Sequence, residues 1–158
     1  TEHRWKAFGL FYTSTPQRLL TYSFSMRNGG YYANGGRLQL QGSLGYRFQP
    51  YVAFTMNANY NHITFENSEL LPLSMRNNAY DLLLVGPRLD VTLSNKLFFT
   101  NFLQYNNQTN NVNLNTRFQW RYSPASDLFL VYTDNYIADT FKVRNRAVVL
   151  KFTYWWNV

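Results

Sequence analysis

The sequence predicts an all-β fold, an antiparallel up-and-down transmembrane β-barrel, and three observations lead to that fold class. Apolar and polar residues alternate with a period of two over most of the chain, as in strands with two unlike faces. Aromatic residues make up 19% of the 158 residues, and charged residues only 15%. No uninterrupted apolar run reaches the roughly 18 residues of a transmembrane helix. Such a chain suits strands that present one face to lipid and the other to a hydrated interior.

The first four expected strands span residues 4–13, 18–28, 37–48 and 51–65. The third has the clearest pattern, because leucines alternate with glutamines and arginines along its length. The fourth places a row of asparagines opposite apolar residues, and buried amides without partners are costly, so the row favours a hydrated lining. The lumen-lining candidates on these strands are Gln39, Gln41, Arg47, Asn57, Asn59 and Asn61, and the lipid-facing candidates are Leu38, Leu40, Leu44 and Phe54.

Five further strands are expected at 79–93, 97–106, 115–122, 128–136 and 146–158. Pro87 lacks a backbone donor, which predicts a bulge or a break in the fifth strand. A lumenal arginine is expected to pair with a carboxylate such as Asp90. The lumen-lining candidates here are Arg117, Gln119, Arg121 and Lys151, and the lipid-facing candidates are Phe118, Trp120, Leu150, Phe152, Tyr154 and Trp156.

The connections between these strands are expected to alternate in length, with tight turns at one end of the barrel and longer loops at the other. The first long loop carries Tyr31 and Tyr32 between glycine pairs that are interpreted as flexible turn residues. These two rings are loop-binding candidates for a sugar or a partner protein, and a packed loop tip is the alternative. The short connections are 14–17, 49–50, 94–96 and 123–127, and the long ones are 28–36, 66–78, 106–112 and 134–145.

The last strand ends in alternating aromatics and resembles the C-terminal signal read by the outer-membrane assembly machinery, although Val158 replaces the commoner Phe or Trp. Nine strands would close with a parallel seam, whereas bacterial single-chain barrels normally have an even number of strands. Either the first segment is not a barrel strand, or the chain continues upstream, which we favour. Residues 1–158 are therefore expected to be one barrel domain or the C-terminal portion of one.

A set of residues near the end of the chain carries a resemblance to a known family. It consists of Arg117, Trp120, Arg121, Tyr122, Ser123, Pro124, Ser126, Asp127, Leu128, Phe129, Leu130, Val131, Tyr132, Asn145 and Arg146. With this pattern, the chain resembles the C-terminal barrel of large Bacteroidota outer-membrane proteins of unknown function. Members of that family typically carry an N-terminal domain similar to family-nine carbohydrate-binding modules. The resemblance implies a bacterial outer-membrane location and an upstream domain that is absent here, and it carries over no catalytic residue.

Several function classes find no support in the composition. The net charge of +7 is spread along alternating segments and not gathered in patches, so no nucleic-acid partner is expected. The chain has no cysteine and only two histidines, and no residues have metal-ligand spacing, so no metal or cofactor is expected. The one catalytic arrangement considered, His62 with Glu66 and Ser68 nearby, lacks a recognisable nucleophile and base. We therefore expect no enzymatic activity.

Three functions remain open from the sequence. The first is an integral barrel that acts as a pore, part of a transporter or the membrane anchor of an attached domain, with a positive lumen that favours anions. The second is a non-conducting scaffold or binding subunit of an outer-membrane assembly. The third is a soluble lipocalin-like barrel, which would turn its apolar faces inward. The expected partners are membrane lipid, the assembly machinery through the last strand, and other outer-membrane subunits or glycans.

Overall fold

Nine antiparallel strands form a single sheet in the computed structural model, which describes residues 5–65, 72 and 78–156. Each strand pairs with its neighbours in the chain, which confirms the predicted all-β, up-and-down class. The sheet is open, with the first and last strands at its two edges. The strands are β1 (Ala7–Thr13), β2 (Leu20–Gly30), β3 (Gly36–Phe48), β4 (Val52–Thr64), β5 (Ala79–Thr92), β6 (Leu97–Asn106), β7 (Asn111–Ser123), β8 (Ser126–Ile137) and β9 (Val143–Phe152).

The predicted alternation of connection lengths is much weaker than expected. The connection β1–β2, expected to be short, covers 14–19, whereas β2–β3, expected to be long, covers only 31–35. The reason is that ladder hydrogen bonds are made by the backbone, so pairing continues through glycine- and asparagine-rich segments. The long connection is β4–β5, most of which lies outside the described residues. We call the end of the sheet with the connection β4–β5 the loop end, and the opposite end the turn end.

No helix in the described part of the chain is both long and apolar enough to cross a membrane.

Continuous pairing gives the sheet two unlike faces, because directly opposed residues on antiparallel strands share a face. Leu44 lies opposite Tyr22 and Met56, and the next row places Ser43 opposite Ser23 and Asn57. We call the face that carries Leu44, Tyr22 and Met56 the apolar face, and the face that carries Ser43, Ser23 and Asn57 the polar face. The apolar face includes Leu38, Leu40, Leu44, Phe54, Phe118, Trp120, Leu150 and Phe152, and the polar face includes Gln39, Gln41, Arg47, Asn57, Asn59, Asn61, Arg117, Gln119, Arg121 and Lys151.

The sheet curves around its polar face. Polar-face side chains of Phe11 in β1 and Gln104 in β6 line one and the same cavity, although four strands separate them. The polar face is therefore concave and the apolar face convex. Apolar side chains stay exposed across the convex side, from Phe8 at 71% to Phe152 at 64%. Among the described residues, only the side chains of Asp134 and Ser126 are fully buried, so the sheet has no hydrophobic core of its own.

The irregularity predicted at Pro87 is present as a break in pairing, and two register shifts occur elsewhere. Beside Pro87 the register with β4 is unbroken, and the pairing with β6 lapses at Gly86 and Pro87 without a shift. The missing donor of proline therefore costs ladder bonds on one side only. True register shifts occur near the ends of β7 and β8, between Arg121 and Ser123 and beside Asn135. Of the bulge or break predicted in β5, the structure thus shows a break in the pairing with β6.

The two ends of the chain also differ in detail from the prediction. The first segment is a strand of this sheet, since β1 pairs with β2 over its whole length. The last strand begins earlier than expected and ends at Phe152, but the backbones of Thr153 and Asp127 still exchange hydrogen bonds of 2.8 and 3.1 Å. Tyr154 and Trp156 therefore follow the strand without belonging to it.

A substitution at Gly29 tests the close packing of β1 on β2. A Cβ on Gly29 would lie 2.5 Å from both the Ala7 Cα and the Lys6 carbonyl oxygen, which are backbone atoms that cannot rotate away. We expect Gly29→Ala to lower the free energy of unfolding by roughly 1–3 kcal/mol. Urea titration of the full-length protein in detergent micelles measures this.

The matched control is Gly42→Ala in the neighbouring strand. A Cβ there meets no atom closer than the Ser23 carbonyl oxygen at 4.0 Å. We expect this variant to unfold within about 0.5 kcal/mol of the parent protein. Equal losses in the two variants would contradict the close approach of β1.

Candidate functional site

Two of the three asparagines predicted as a lumen lining, Asn59 and Asn61, form a connected chain of hydrogen bonds with Arg37 on the polar face. Asn61 Nδ2 donates to Asn59 Oδ1 over 2.9 Å. The Arg37 guanidinium donates to Asn61 Oδ1 from Nε and Nη2, over 3.1 and 2.7 Å. Residues two apart on a strand share a face, which is why Asn59 and Asn61 meet. The cation at the loop end thus orients the amides below it.

Cations outnumber acids on the polar face. Asp90 accepts two hydrogen bonds from the Arg88 guanidinium, over 2.8 and 2.9 Å, and one from Thr100 Oγ1 over 2.8 Å. Asp90 thus pairs with a lumenal arginine as expected, and that arginine is Arg88 of its own strand. Arg121 lies 3.4 Å from an Asp127 oxygen. Within the described strands the face carries Arg27, Arg37, Arg47, Arg88, Arg117, Arg121 and Lys151 against Asp90 and Asp127.

A cavity of about 430 Å³ lies in the concave side of β1 to β6. Within it, Ser23 and Ser43 place their hydroxyl oxygens 2.7 Å apart, and Ser25 donates to Gln41 Oε1 over 3.3 Å. The cavity therefore brings together amides and hydroxyls that were predicted as lining, and two aromatic rings that were not. It is lined by Phe11, Ser23, Ser25, Gln41, Gly42, Ser43, Asn57, Ala58, Asn59, Leu84, Gly86, Phe102 and Gln104.

The amide row continues on β7 and β8, outside the cavity. Asn113 lies directly opposite Asn135 on the polar face. The side-chain oxygens of Asn111, Asn113 and Asn135 are buried, and none has a hydrogen-bond partner among the described residues. Buried amide oxygens without partners destabilise a dry protein core, so this part of the face is also better suited to a hydrated interior.

A carboxylate cluster interrupts the apolar face near the loop end, and sequence reasoning missed it. Asp134 Oδ2 accepts hydrogen bonds from the Tyr132 and Tyr136 hydroxyls, each over 2.5 Å, and from Arg146 Nε over 2.9 Å. These partners cover Asp134 completely, whereas the Arg146 side chain remains half-exposed. The signal was present, because a Tyr-x-Asp-x-Tyr pattern places all three side chains on one face of a strand.

A second cluster lies on the same face and near the same end. Asp81 Oδ1 accepts a hydrogen bond from the Tyr60 hydroxyl over 2.5 Å and lies 2.7 Å from His62 Nδ1. His62 is thus bonded to an acid of the facing strand, while its predicted neighbours Glu66 and Ser68 lie outside the described residues. Across the described ranges, no three His, Cys, Asp or Glu side chains are placed to hold a metal ion.

Aromatic rings gather on the apolar face at the turn end. Tyr122 stacks on Phe152 with centroids 5.4 Å apart and meets Trp120 edge-on at 5.9 Å. Beyond β9, Tyr154 and Trp156 are in edge-on contact at 6.1 Å. The lipid-facing candidates Trp120 and Phe152 thus share one aromatic cluster with Tyr122, and Tyr154 and Trp156 form a second aromatic pair beyond the strand. Both ends of the apolar face thus carry aromatic or polar groups, and the side chains between them are mainly apolar, with Asn101 donating to Thr116 Oγ1 over 2.8 Å as a polar pair within them.

The two loop tyrosines differ in their surroundings. Tyr31 packs on Phe65, with centroids 6.1 Å apart, and the Arg37 guanidinium lies 5.8 Å above its ring centroid. Tyr32 begins a short 3₁₀ turn and is 50% exposed. Tyr31 thus fits the packed-tip alternative, and the binding role of the pair stays a prediction. The flanking glycines have no positive φ, and Gly29 is needed for the close approach of β1 and not for a turn.

Comparison with known proteins found no protein-family model and no curated protein that matches the chain.

The Asp134 cluster yields a stability prediction. In Asp134→Asn the charged acceptor is lost, which leaves Arg146 without its counter-charge on the apolar face and the two tyrosine hydroxyls competing for one amide oxygen. We expect a clear fall in the unfolding midpoint, measured by urea titration in micelles. Asp90→Asn on the concave face is the matched control and should cost less, because exposed ion pairs contribute little. A larger loss in the control would contradict this ranking.

Proposed function

We propose that this chain is the membrane-embedded part of a bacterial outer-membrane β-barrel that passes solutes or anchors an attached domain. One observation carries the proposal: the apolar face is convex and exposed, while the amides and cations lie on the concave face. Water strongly disfavours a continuous exposed apolar surface of this extent, whereas lipid hydrocarbon does not. Transmembrane barrels have this arrangement, with apolar residues outward and polar residues inward.

The height of the apolar face supports the proposal. On β3 it runs from Leu38 to Phe48. At about 3.3 Å per residue this is about 33 Å along the strand, or about 25 Å along the axis of a barrel whose strands tilt by about 40°. The apolar band of an outer-membrane barrel has about this height. The aromatic cluster at the turn end and the tyrosine–aspartate clusters at the loop end correspond to the two membrane interfaces.

Closure of the proposed barrel needs further strands. Because nine strands alternate in direction, β1 and β9 run the same way and cannot pair antiparallel with each other. An odd number of additional antiparallel strands between these edges would give the even total of a bacterial barrel. Every described residue of β1 and of β9 is exposed, as expected for edges that await neighbours.

The lipocalin-like alternative is disfavoured by the same geometry. A soluble barrel that holds an apolar ligand needs a mainly apolar concave side, whereas seven of the thirteen residues that line the concave cavity carry amides or hydroxyls. The role of membrane anchor would suit the family that residues 115–136 and 145–158 resemble, in which a carbohydrate-binding-like domain precedes the barrel.

Fractionation of the full-length protein in its bacterial host tests the proposal. We expect the protein in the outer-membrane fraction, resistant to carbonate extraction and released by detergent. A protein that stays soluble and monomeric without detergent would overturn the membrane assignment.

A pair of adjacent substitutions tests which face meets lipid. Leu44→Arg places a charge on the apolar face and should lower folding stability in lipid vesicles by about 2–4 kcal/mol, as for arginine near the middle of a bilayer. Ser43→Arg at the same depth places the charge on the polar face and should cost much less. Guanidinium titration of vesicle-inserted protein measures both variants. Equal costs would argue against the assignment of the two faces.

The excess of cations on the concave face predicts anion preference. In a planar bilayer, channels formed by the full-length protein should conduct chloride better than potassium, which the reversal potential in a salt gradient measures. Replacing Arg47, a polar-face cation without an ion pair among the described residues, by Glu should reduce the preference. An inserted protein that conducts no ions would favour the anchor over the pore.

A further inference from the structure

The cavity of β1 to β6 differs from the rest of the concave face in its charge. Among the described residues that line it, none is ionisable. Arg27 and Arg37 line a depression toward the loop end, and Arg27 also borders one that shares Phe11, Ser25 and Gln41 with the cavity. Arg47 and Asp90 line another depression toward the turn end. A neutral compartment thus lies between two charged ones, in a chain of net charge +7. Its ligand should therefore be uncharged.

Hydrogen-bonding groups in the cavity remain available to a ligand. The side-chain amides of Asn57 and Gln104 have no hydrogen-bond partner within the described part of the chain. Gln41 uses only its oxygen, as the acceptor for Ser25, so its amide protons stay available. Each primary amide offers two donors and one acceptor oxygen. The lining can therefore both donate to and accept from a ligand rich in hydroxyl groups.

Two phenyl rings also border the cavity, where a purely hydrated lining would have polar groups. Phe11 lies in β1 and is 72% exposed, although it shares the polar face with hydroxyl residues. Phe102 lies in β6 on the same face, and its ring covers Gly86, where a Cβ would approach ring atoms to 3.3 and 3.5 Å. Glycine at that position leaves room for the ring over β5. The cavity is thus bordered by aromatic surface on β1 and on β6.

We propose that this cavity binds a neutral saccharide of roughly one or two rings. Sugars present hydroxyl groups at their edges and C–H groups on their faces, which match amides and hydroxyls on one hand and phenyl rings on the other. The volume of about 430 Å³ is in the range of small-molecule sites. An anionic ligand would favour the arginine-lined depressions, and an apolar ligand would leave the amides without partners.

The proposal that a neutral saccharide is the solute admitted to the lumen rests on the proposed membrane barrel. The binding of sugar to the cavity is nevertheless measurable by itself, on protein whose insertion is checked separately. The site is also distinct from Tyr31 and Tyr32, which line the depression at the loop end.

The experiment titrates the full-length protein in lauryldimethylamine-oxide micelles, a detergent without a sugar headgroup. Maltose and cellobiose are the neutral probes, glucose 6-phosphate is the charged probe, and isothermal titration calorimetry gives the affinities. We expect at least one disaccharide to bind, and to bind at least fivefold more tightly than glucose 6-phosphate. Absence of disaccharide binding, or equal binding of the charged probe, would overturn the saccharide assignment.

Variants locate the site. Gln104→Met removes one available amide and should weaken disaccharide binding by about three- to tenfold. Phe102→Leu removes a ring and should also weaken disaccharide binding. This variant provides a second test if Gln104→Met folds poorly. Gln108→Met makes the same change in an exposed turn outside the cavity and should leave binding unchanged. Unchanged binding in both folded cavity variants would overturn the location.

Carbonate extraction and bilayer insertion of the same preparations separate the two proposals. Inserted protein that binds no disaccharide overturns the saccharide site and leaves the membrane barrel standing. A soluble protein that binds disaccharide in the cavity overturns the barrel and retains the site.

Discussion

The register of the antiparallel ladder is the constraint on which the rest of this structure depends. A slip of one residue between two strands would transfer every side chain of the slipped strand to the other face. From β1 to β7 the pairing runs without a shift, and the shifts beside Arg121 and Asn135 fall near strand ends. The bulged residue Tyr122 still reaches the aromatic cluster of the apolar face. One apolar surface therefore extends across nine strands.

The stability of such a sheet depends mainly on its backbone hydrogen bonds and on its contact with the surrounding medium. No large apolar side chain of the described chain is fully buried, so the sheet gains little from the hydrophobic effect by itself, and the proposed lipid environment would supply the rest. The polar groups that the apolar face does carry are satisfied by each other. Asp134 has three donors and Asp81 has a tyrosine and a histidine, as carboxylates at the proposed membrane boundary would require.

Curvature adds a second level of organisation, because it brings together groups that lie far apart along the sheet. Phe11 and Gln104 are separated by four strands and still border the same cavity. Along β2 and β3, the arginines lie in two charged depressions toward the ends of the strands, with a neutral cavity between them. A count of charges along the chain describes the face as uniformly cationic. Such a count does not distinguish the neutral cavity from the two charged depressions.

The sequence by itself determined the strand class, the number of strands and the membership of the two faces, because period-two alternation is a local property of the chain. It did not determine where strands end, since pairing through Gly30, Gly36 and Asn111 depends on backbone hydrogen bonds and not on side-chain pattern. The tertiary structure alone decided the partners. Arg146 of β9 meets Asp134 of β8, and Phe102 of β6 borders the same cavity as Phe11 of β1, because register and curvature set these distances.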